Sequence, residues 1–269
     1  MVSVLTEMMN SDNADFVEGN TELTEAGLSR KAKSAKTIIR KGADINARGH
    51  DGKSPFNLGS HLDMVRLLLD HGANIESRDN KGRTPLFNAV LGNCHDTVTL
   101  LLSAGADVSL QDNDGGSSLT VASQEGHIDC VKVLIQHGAE VDTRNNDGST
   151  PLYWAAREGH IEVVQFLIEQ GADVNACRSD GSSCMRAAAS NGHTDVVRAL
   201  LSAGADVNLQ RNDEFSPLTM ASQEGHTDWI ELLIQWLLDG ADVDTRINYS
   251  STPLYWAASE GQQQQQQQQ

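Results

Sequence analysis

Apolar positions recur along this chain at three-to-four spacing, in short stretches that glycine cuts at regular intervals. In one of them Val163, Val164, Phe166, Leu167 and Ile168 run up to Gly171-Ala172-Asp173. That spacing predicts an amphipathic helix ended by the glycine. Ahead of it Leu152, Ala155 and Ala156 lie between the pair Thr150-Pro151 and a second glycine, Gly159. A hydroxyl followed by proline is helix-start chemistry: the hydroxyl accepts from a free backbone N–H as N-cap, and proline lacks the N–H that would be orphaned anyway. Small side chains such as Ala155, Ala156, Ala188 and Ala189 let two helices approach closely. Polar links carrying Asp114-Gly115, Asp147-Gly148 and Asp180-Gly181 favour tight turns between successive helix pairs. The predicted unit is helix, turn, helix, projecting hairpin.

The unit recurs. Gly-Ala followed by Asp, Asn or Glu begins at Gly42, Gly72, Gly105, Gly138, Gly171, Gly204 and Gly240, at intervals of 30, 33, 33, 33, 33 and 36 residues. Cap hydroxyls stand at Ser54, Thr84, Ser117, Thr150, Ser183, Ser216 and Thr252, and all five prolines directly follow one of them. Glycine breaks fall at Gly126, Gly159, Gly192 and Gly225. The stretch DGSTPLYWAAREGHIEVVQFLIEQGADVNA, Asp147 to Ala176, resembles an ankyrin repeat, and the resemblance covers nearly the whole chain. It implies an all-α solenoid of stacked helix-turn-helix units with projecting β-hairpin loops. One departure is general: the His that the family places after Thr-Pro-Leu is replaced, by Phe87, Thr120, Tyr153, Arg186, Thr219 and Tyr255 among others. The side chain that bonds the preceding hydroxyl in the family is thereby lost.

We divide the array as 18–50, 51–80, 81–113, 114–146, 147–179, 180–212 and 213–248, after an N-terminal segment 1–17 and before a truncated eighth repeat 249–261. The first repeat is worn, with Gly19, Thr21, Leu23 and Ala26 at the turn, cap, Leu and small positions. The second has lost three residues, assigned to its first helix; the seventh has gained Trp236, Leu237 and Leu238, nearly one more turn of helix. Residues 120–130 answer 219–229, so a block of three repeats has the look of a duplication. Eight glutamines, 262–269, stand where the eighth unit's second helix belongs. They read as a disordered tail or an incomplete product, with a self-association tract as the other reading.

Composition then narrows the work such an array can do. Twelve aromatic residues in 269 leave too little for one deep core and suit thin stacked layers. The start of the chain lacks a basic n-region and a sustained apolar run, and no apolar stretch is long enough to span a bilayer. Cys94, Cys130, Cys177 and Cys184 lack paired zinc spacing and fit free thiols in a reducing compartment, the cytoplasm, with the nucleus as the alternative. Net charge is −17, and the acid excess lies wholly in residues 51–269, where 13 bases face 30 acids. Such a body repels phosphate backbones and acidic membranes, so the expected partner is a basic or neutral protein or peptide and not nucleic acid or membrane. Arg30, Lys31, Lys33, Lys36, Arg40 and Lys41 form the exception. Leu28, Ala32, Ala35, Ile38 and Ile39 fall at helical spacing among them, which favours a solvated helix face over a localisation signal or nucleic-acid patch.

Catalytic chemistry finds no footing. His127, His160, His193 and His226 occupy one position in successive repeats. Neighbouring layers stand about 8–10 Å apart, whereas zinc holds nitrogen near about 2 Å, so these residues are expected to order loops after the glycine break. Cys177 and Cys184 have no base placed to activate them, and P-loop, dinucleotide, nucleophile-elbow and HExxH motifs are absent. We expect no enzyme, catalytic residue, cofactor or metal.

The ankyrin resemblance implies a non-catalytic interaction module or adaptor that binds along the concave groove of repeats three to seven. Hairpin tips and first-helix ends carry the partner contacts in that family. Position by position these are Lys53, Lys81, Arg83, Asp114, Asp147, Asp180, Asp213 and Phe215 on hairpins, with Glu125, Arg157, Glu158 and Glu224 at first-helix ends. Turn formation alone accounts for the aspartates; it does not account for the glutamates. Trp154 and Trp236 are the aromatic candidates for anchors. The family also implies Asn175 and Asn208 as positions that asparaginyl hydroxylases accept. The competing reading is a substrate-recruiting or regulatory part of a larger enzyme or receptor, such as a ubiquitin ligase or signalling protein.

Overall fold

A computed structural model describes residues 23, 32–49, 52–58, 62–206 and 209. The seventh repeat, the truncated eighth and the glutamine tract lie outside the described residues, as do Asn208, Asp213, Phe215, Glu224, His226 and Trp236. Among the described residues the architecture is an all-α repeat solenoid without a sheet. Its helices are α1 (Ala32–Arg40), α2 (Pro55–Leu58), α3 (Leu62–Asp70), α4 (Pro85–Leu91), α5 (His95–Ser103), α6 (Ser118–Gln124), α7 (Ile128–Gln136), α8 (Pro151–Glu158), α9 (Ile161–Glu169), α10 (Cys184–Ser190) and α11 (Thr194–Ser202). The chain forms two compact units, one of Met1–Ala122 with Asp129–Glu140 and one of Ser123–Ile128 with Val141–Gln269.

The starts and stops follow the hydroxyls and glycines. Thr84, Ser117, Thr150 and Ser183 each accept a hydrogen bond from the backbone N–H three residues on, at 3.2, 3.1, 3.2 and 3.2 Å. Each such cap is worth about 1 kcal/mol. Ser54 does the same for Asn57 at 3.3 Å at the start of α2, and α3 has the nine residues of the other second helices. At the far end of α9, Gly171 N–H bonds Ile168 O at 2.9 Å and Ala172 N–H bonds Leu167 O at 3.0 Å, with Gly171 at φ +88°. This is a Schellman closure, and its left-handed position is why Gly-Ala recurs at every second-helix end.

Burial is layered. Leu86, Leu119, Leu152 and Met185, the residues two after each cap, are almost wholly buried, as are Val98 with Leu101, Val131 with Leu134, Val164 with Leu167 and Val197 with Leu200 on the second helices. Each such aliphatic side chain contributes about 1.5–3 kcal/mol. Ala155, Ala156, Ala188 and Ala189 are inaccessible to solvent, which lets α8 and α10 approach closely. The loops pair only briefly, through isolated antiparallel bridges Gln111↔Ser117 and Cys177↔Ser183. Their tips join neighbouring hairpins: Asn113 N–H bonds Lys81 O, and Ser179 N–H bonds Asp147 O, each at 2.9 Å.

The position vacated by the family's His is filled in several ways. Asn57 accepts from Ser54 Oγ at 2.9 Å and donates to the carbonyls of Ser77 and Arg83 at 3.0 and 3.1 Å. Thr120 meets Ser117, hydroxyl to hydroxyl, at 3.0 Å. Phe87 and Tyr153 instead bury their rings.

Candidate functional site

The post-glycine histidines order more than their own loops. His160 Nε2 donates to Gln124 O and His193 Nε2 to Arg157 O, each at 2.9 Å and 36 residues back. Each imidazole therefore ties a second-helix start to the first-helix end of the preceding repeat. The ring lies against the preceding glycine break: a Cβ on Gly126 or Gly159 would stand 2.5 Å from the Nδ1 of His160 or His193. Both glycines are also left-handed, at φ +72° and +80°. Among the described residues no group of three or more His, Cys, Asp or Glu side chains could hold a metal, and no helix is long and apolar enough to cross a membrane.

The two buried thiols, Cys130 and Cys184, are kept protonated by their surroundings. Burial, helped by the charges of Asp129 and Cys94, pushes Cys130 up to about 11. Burial, with Cys177 nearby, pushes Cys184 up to about 12. Neither forms thiolate near neutral pH, so neither is an activated nucleophile.

Among the hairpin candidates in the first unit, Arg83 is committed to its own turn. Arg83 pairs with Asp79 at 2.8 Å while Asp79 Oδ1 also accepts the N–H groups of Lys81 and Arg83 at 2.9 Å. Burial raises the Asp79 pKa, but the bonds and charge from Arg83, with the Lys81 N–H, outweigh it and hold the carboxyl below its usual range. Asp79 was not among the sequence candidates, because its role depends on being almost wholly buried. Lys53 is half-buried, and Lys81 and Asp114 are exposed.

In the second unit Asp147 and Asp180 also form turns, accepting from Ser149 and Ser182 N–H at 3.0 and 2.9 Å. Asp147 does more. Its Oδ2 accepts from Arg178 Nη2 at 2.5 Å, and Arg178 Nη1 reaches the Tyr153 hydroxyl at 3.3 Å. The Arg178 guanidinium carbon lies 5.2 Å from the Tyr153 ring centre. Burial raises the Asp147 pKa, and the Ser149 bonds with the Arg178 charge outweigh it, so the net shift is downward. Arg178 is a residue that sequence reasoning missed; only its 31-residue reach back to Asp147 reveals it.

Next to this network Trp154 packs edge-on to Tyr153, with ring centres 5.9 Å apart and planes at 87°. Arg157 lies over the Trp154 ring at 5.0 Å. Its Nε stands 3.7 Å from Glu158 Oε1, beyond hydrogen-bond length, and both side chains are more than 40% exposed. The indole Nε1 of Trp154 is buried without an acceptor, at a cost of about 1–3 kcal/mol. Glu158 is the last residue of α8, and Glu125 directly follows α6; both are exposed. Helix C-termini disfavour acids by about 0.3–1 kcal/mol, so helix formation does not account for these two. Asn175, by contrast, is committed: its Oδ1 accepts from Asp206 N–H at 2.8 Å, the place that Asp142 fills for Asp173 N–H one repeat earlier. A groove of about 670 Å³ between α9 and α11, lined by Ile161, Gln165, Ile168, Asp195, Arg198 and Ala199, was likewise not anticipated.

The model of the family described as ankyrin repeats matches in three copies, over residues 35–112, 103–178 and 181–265. Among curated proteins, the NF-kappa-B inhibitor cactus of Drosophila yakuba is 38% identical over 84 residues, 28% of this chain and 17% of that protein. Cactus of Drosophila melanogaster is 37% identical over 84 residues, again 28% and 17% of the two chains. The chain thus spans about a sixth of the length of these relatives. The crystal structure of the human ASB11 ankyrin repeat domain is similar with a TM-score of 0.69 and 28% identity, covering 74% of this chain and 90% of that one.

Proposed function

Since the chain belongs to the ankyrin repeat family, we propose that it is a non-catalytic adaptor that takes a basic protein or peptide on the surface formed by first-helix ends and hairpins, the concave face in that family. The carrying observation is the pair Glu125 and Glu158, exposed acids at equivalent first-helix ends where the helix dipole opposes them. Asp114, Asp147 and Asp180 add charge on the hairpins, and the acid surplus of residues 51–269 steers cations toward the chain. Lys53, Lys81, Arg83, Asp213, Phe215, Glu224 and Trp236 are further partner-contact candidates that the family resemblance implies. The repeat bounds set out from the sequence, the cytoplasm as working compartment, and Asn175 and Asn208 as hydroxylation sites belong to the same proposal. No nucleic acid, membrane, cofactor or metal has a part in it.

The test uses the full chain as bait. Glu125→Lys, Glu158→Lys and Glu224→Lys together weaken capture of basic partners, read by quantitative mass spectrometry, while far-ultraviolet circular dichroism stays as in the wild type. Undiminished capture refutes the acidic surface.

A second reading, a regulatory or recruiting part of a larger assembly, is favoured by one finding: the curated relatives named as NF-kappa-B inhibitors are far longer than the segment they share with this chain. A transcript that joins this array to a catalytic or ligase-docking segment supports it.

A further inference from the structure

We propose that Trp154 and Glu158 form a receptor for the arginine side chain of a basic peptide, and that Arg157 occupies this receptor in the free protein as an internal competitor. The inference rests on the acidic-surface reading above and names the chemistry of its central contact. Two arginines in the second unit lie over aromatic rings at nearly equal distances, Arg178 over Tyr153 and Arg157 over Trp154, at 5.2 and 5.0 Å. Arg178 is fastened by bonds to Asp147 and to the Tyr153 hydroxyl. Arg157 stands 3.7 Å from its carboxylate neighbour, and its side chain is 44% exposed. What holds Arg157 in place is the ring and the charge, both of which an arginine from another chain meets equally well.

Repeat chemistry does not require the trio. The positions of Trp154 and Arg157 are held by Asn88 and Leu91, by Val121 and Gln124, and by Ala187 and Ser190 in the repeats 81–113, 114–146 and 180–212. Aromatic and arginine coincide in one repeat of four, and there Glu158 supplies the carboxylate. The ring is also set in advance: Tyr153, only 5% exposed, braces it edge-on. A guanidinium suits the receptor better than an ammonium, because its plane stacks on an indole while its fork of N–H groups faces the carboxylate. A −17 chain supplies the complementary charge.

The probe is a capped glycine pentapeptide with two arginines, compared with its lysine and citrulline counterparts at low ionic strength. Full-length ¹⁵N-labelled protein is titrated while the Trp154 indole resonance, identified by its loss in Trp154→Phe, is followed. The arginine probe shifts this resonance, lysine shifts it less, and citrulline leaves it in place. Arg157→Ala tightens the arginine probe about threefold by removing the competitor, and Glu158→Gln weakens it by about the same factor, the range of an exposed cation–π contact. Unchanged or weaker binding in Arg157→Ala overturns the proposal, as does an equal shift with citrulline. If those results come while the triple Lys variant still loses its partner, the receptor is wrong and the acidic surface stands. If the probe behaves as stated while that variant captures normally, the receptor stands and the broader surface falls.

Discussion

Arg178 and Arg157 make the same contact with an aromatic ring and have opposite standing in the structure. Arg178 reaches back 31 residues to Asp147 and bonds a carboxylate through Nη2 and a phenol through Nη1, so one hairpin is fixed to the one before it. Arg157 reaches back three residues to Trp154 on its own helix and holds no hydrogen bond to its acidic neighbour. A ring–cation distance near 5 Å therefore does not tell a joint from a docking point. The hydrogen bonds around the cation do. His160 and His193 fall on the side of Arg178, because each spends Nε2 on a carbonyl of the repeat before.

This contrast is open to measurement. The largest effect is expected at the histidine joint: Gly159→Val puts a branched side chain at φ +80° and into the His193 ring. It lowers unfolding stability by about 2–5 kcal/mol, read by urea denaturation; a loss below about 0.5 kcal/mol would mean that the His–Gly contact holds nothing together. Arg178→Ala comes next, at about 1–2 kcal/mol, since its bonds are charge-assisted but partly exposed.

Acid provides a third probe. The folded pKa values of Asp79 and Asp147 lie below the unfolded value near 3.8, so their stabilisation is full above that value and is lost as pH falls through the lowered folded pKa. The melting temperature of Asp79→Asn is accordingly lower at neutral pH and falls less than that of the wild type between pH 4 and pH 2. Parallel acid limbs for Asp79→Asn and wild type would remove the ion pair with Arg83 from the account. The smallest effect belongs to Arg157→Ala, whose unfolding free energy from urea denaturation stays within about 0.5 kcal/mol of the wild type, as for an exposed pair. A clear loss there would place Arg157 among the joints.

Much of the fold could be read from residue types alone. The cap hydroxyls at Thr84, Ser117, Thr150 and Ser183 and the closing glycines act locally, within one turn of helix, so spacing was enough to find them. The site was less legible. Asp147 and Asp180 look alike in sequence, each beginning an Asp-Gly turn, yet Asp147 carries Arg178 on its other oxygen. Arg83 looked like a free hairpin cation and is paired with a carboxylate whose side chain is 1% exposed.

The amino-acid order determined the unit, its period, its helix ends and its charge, because each depends on neighbours within a few residues or on simple counting. Tertiary packing decided which polar side chains are spent and which are left over. Asp147 and Arg178, His193 and Arg157 O, Asn175 and Asp206 meet only when residues 31 to 36 positions apart are brought side by side. A hydrogen bond is settled within about 3 Å, a scale that the one-dimensional pattern does not carry across a repeat.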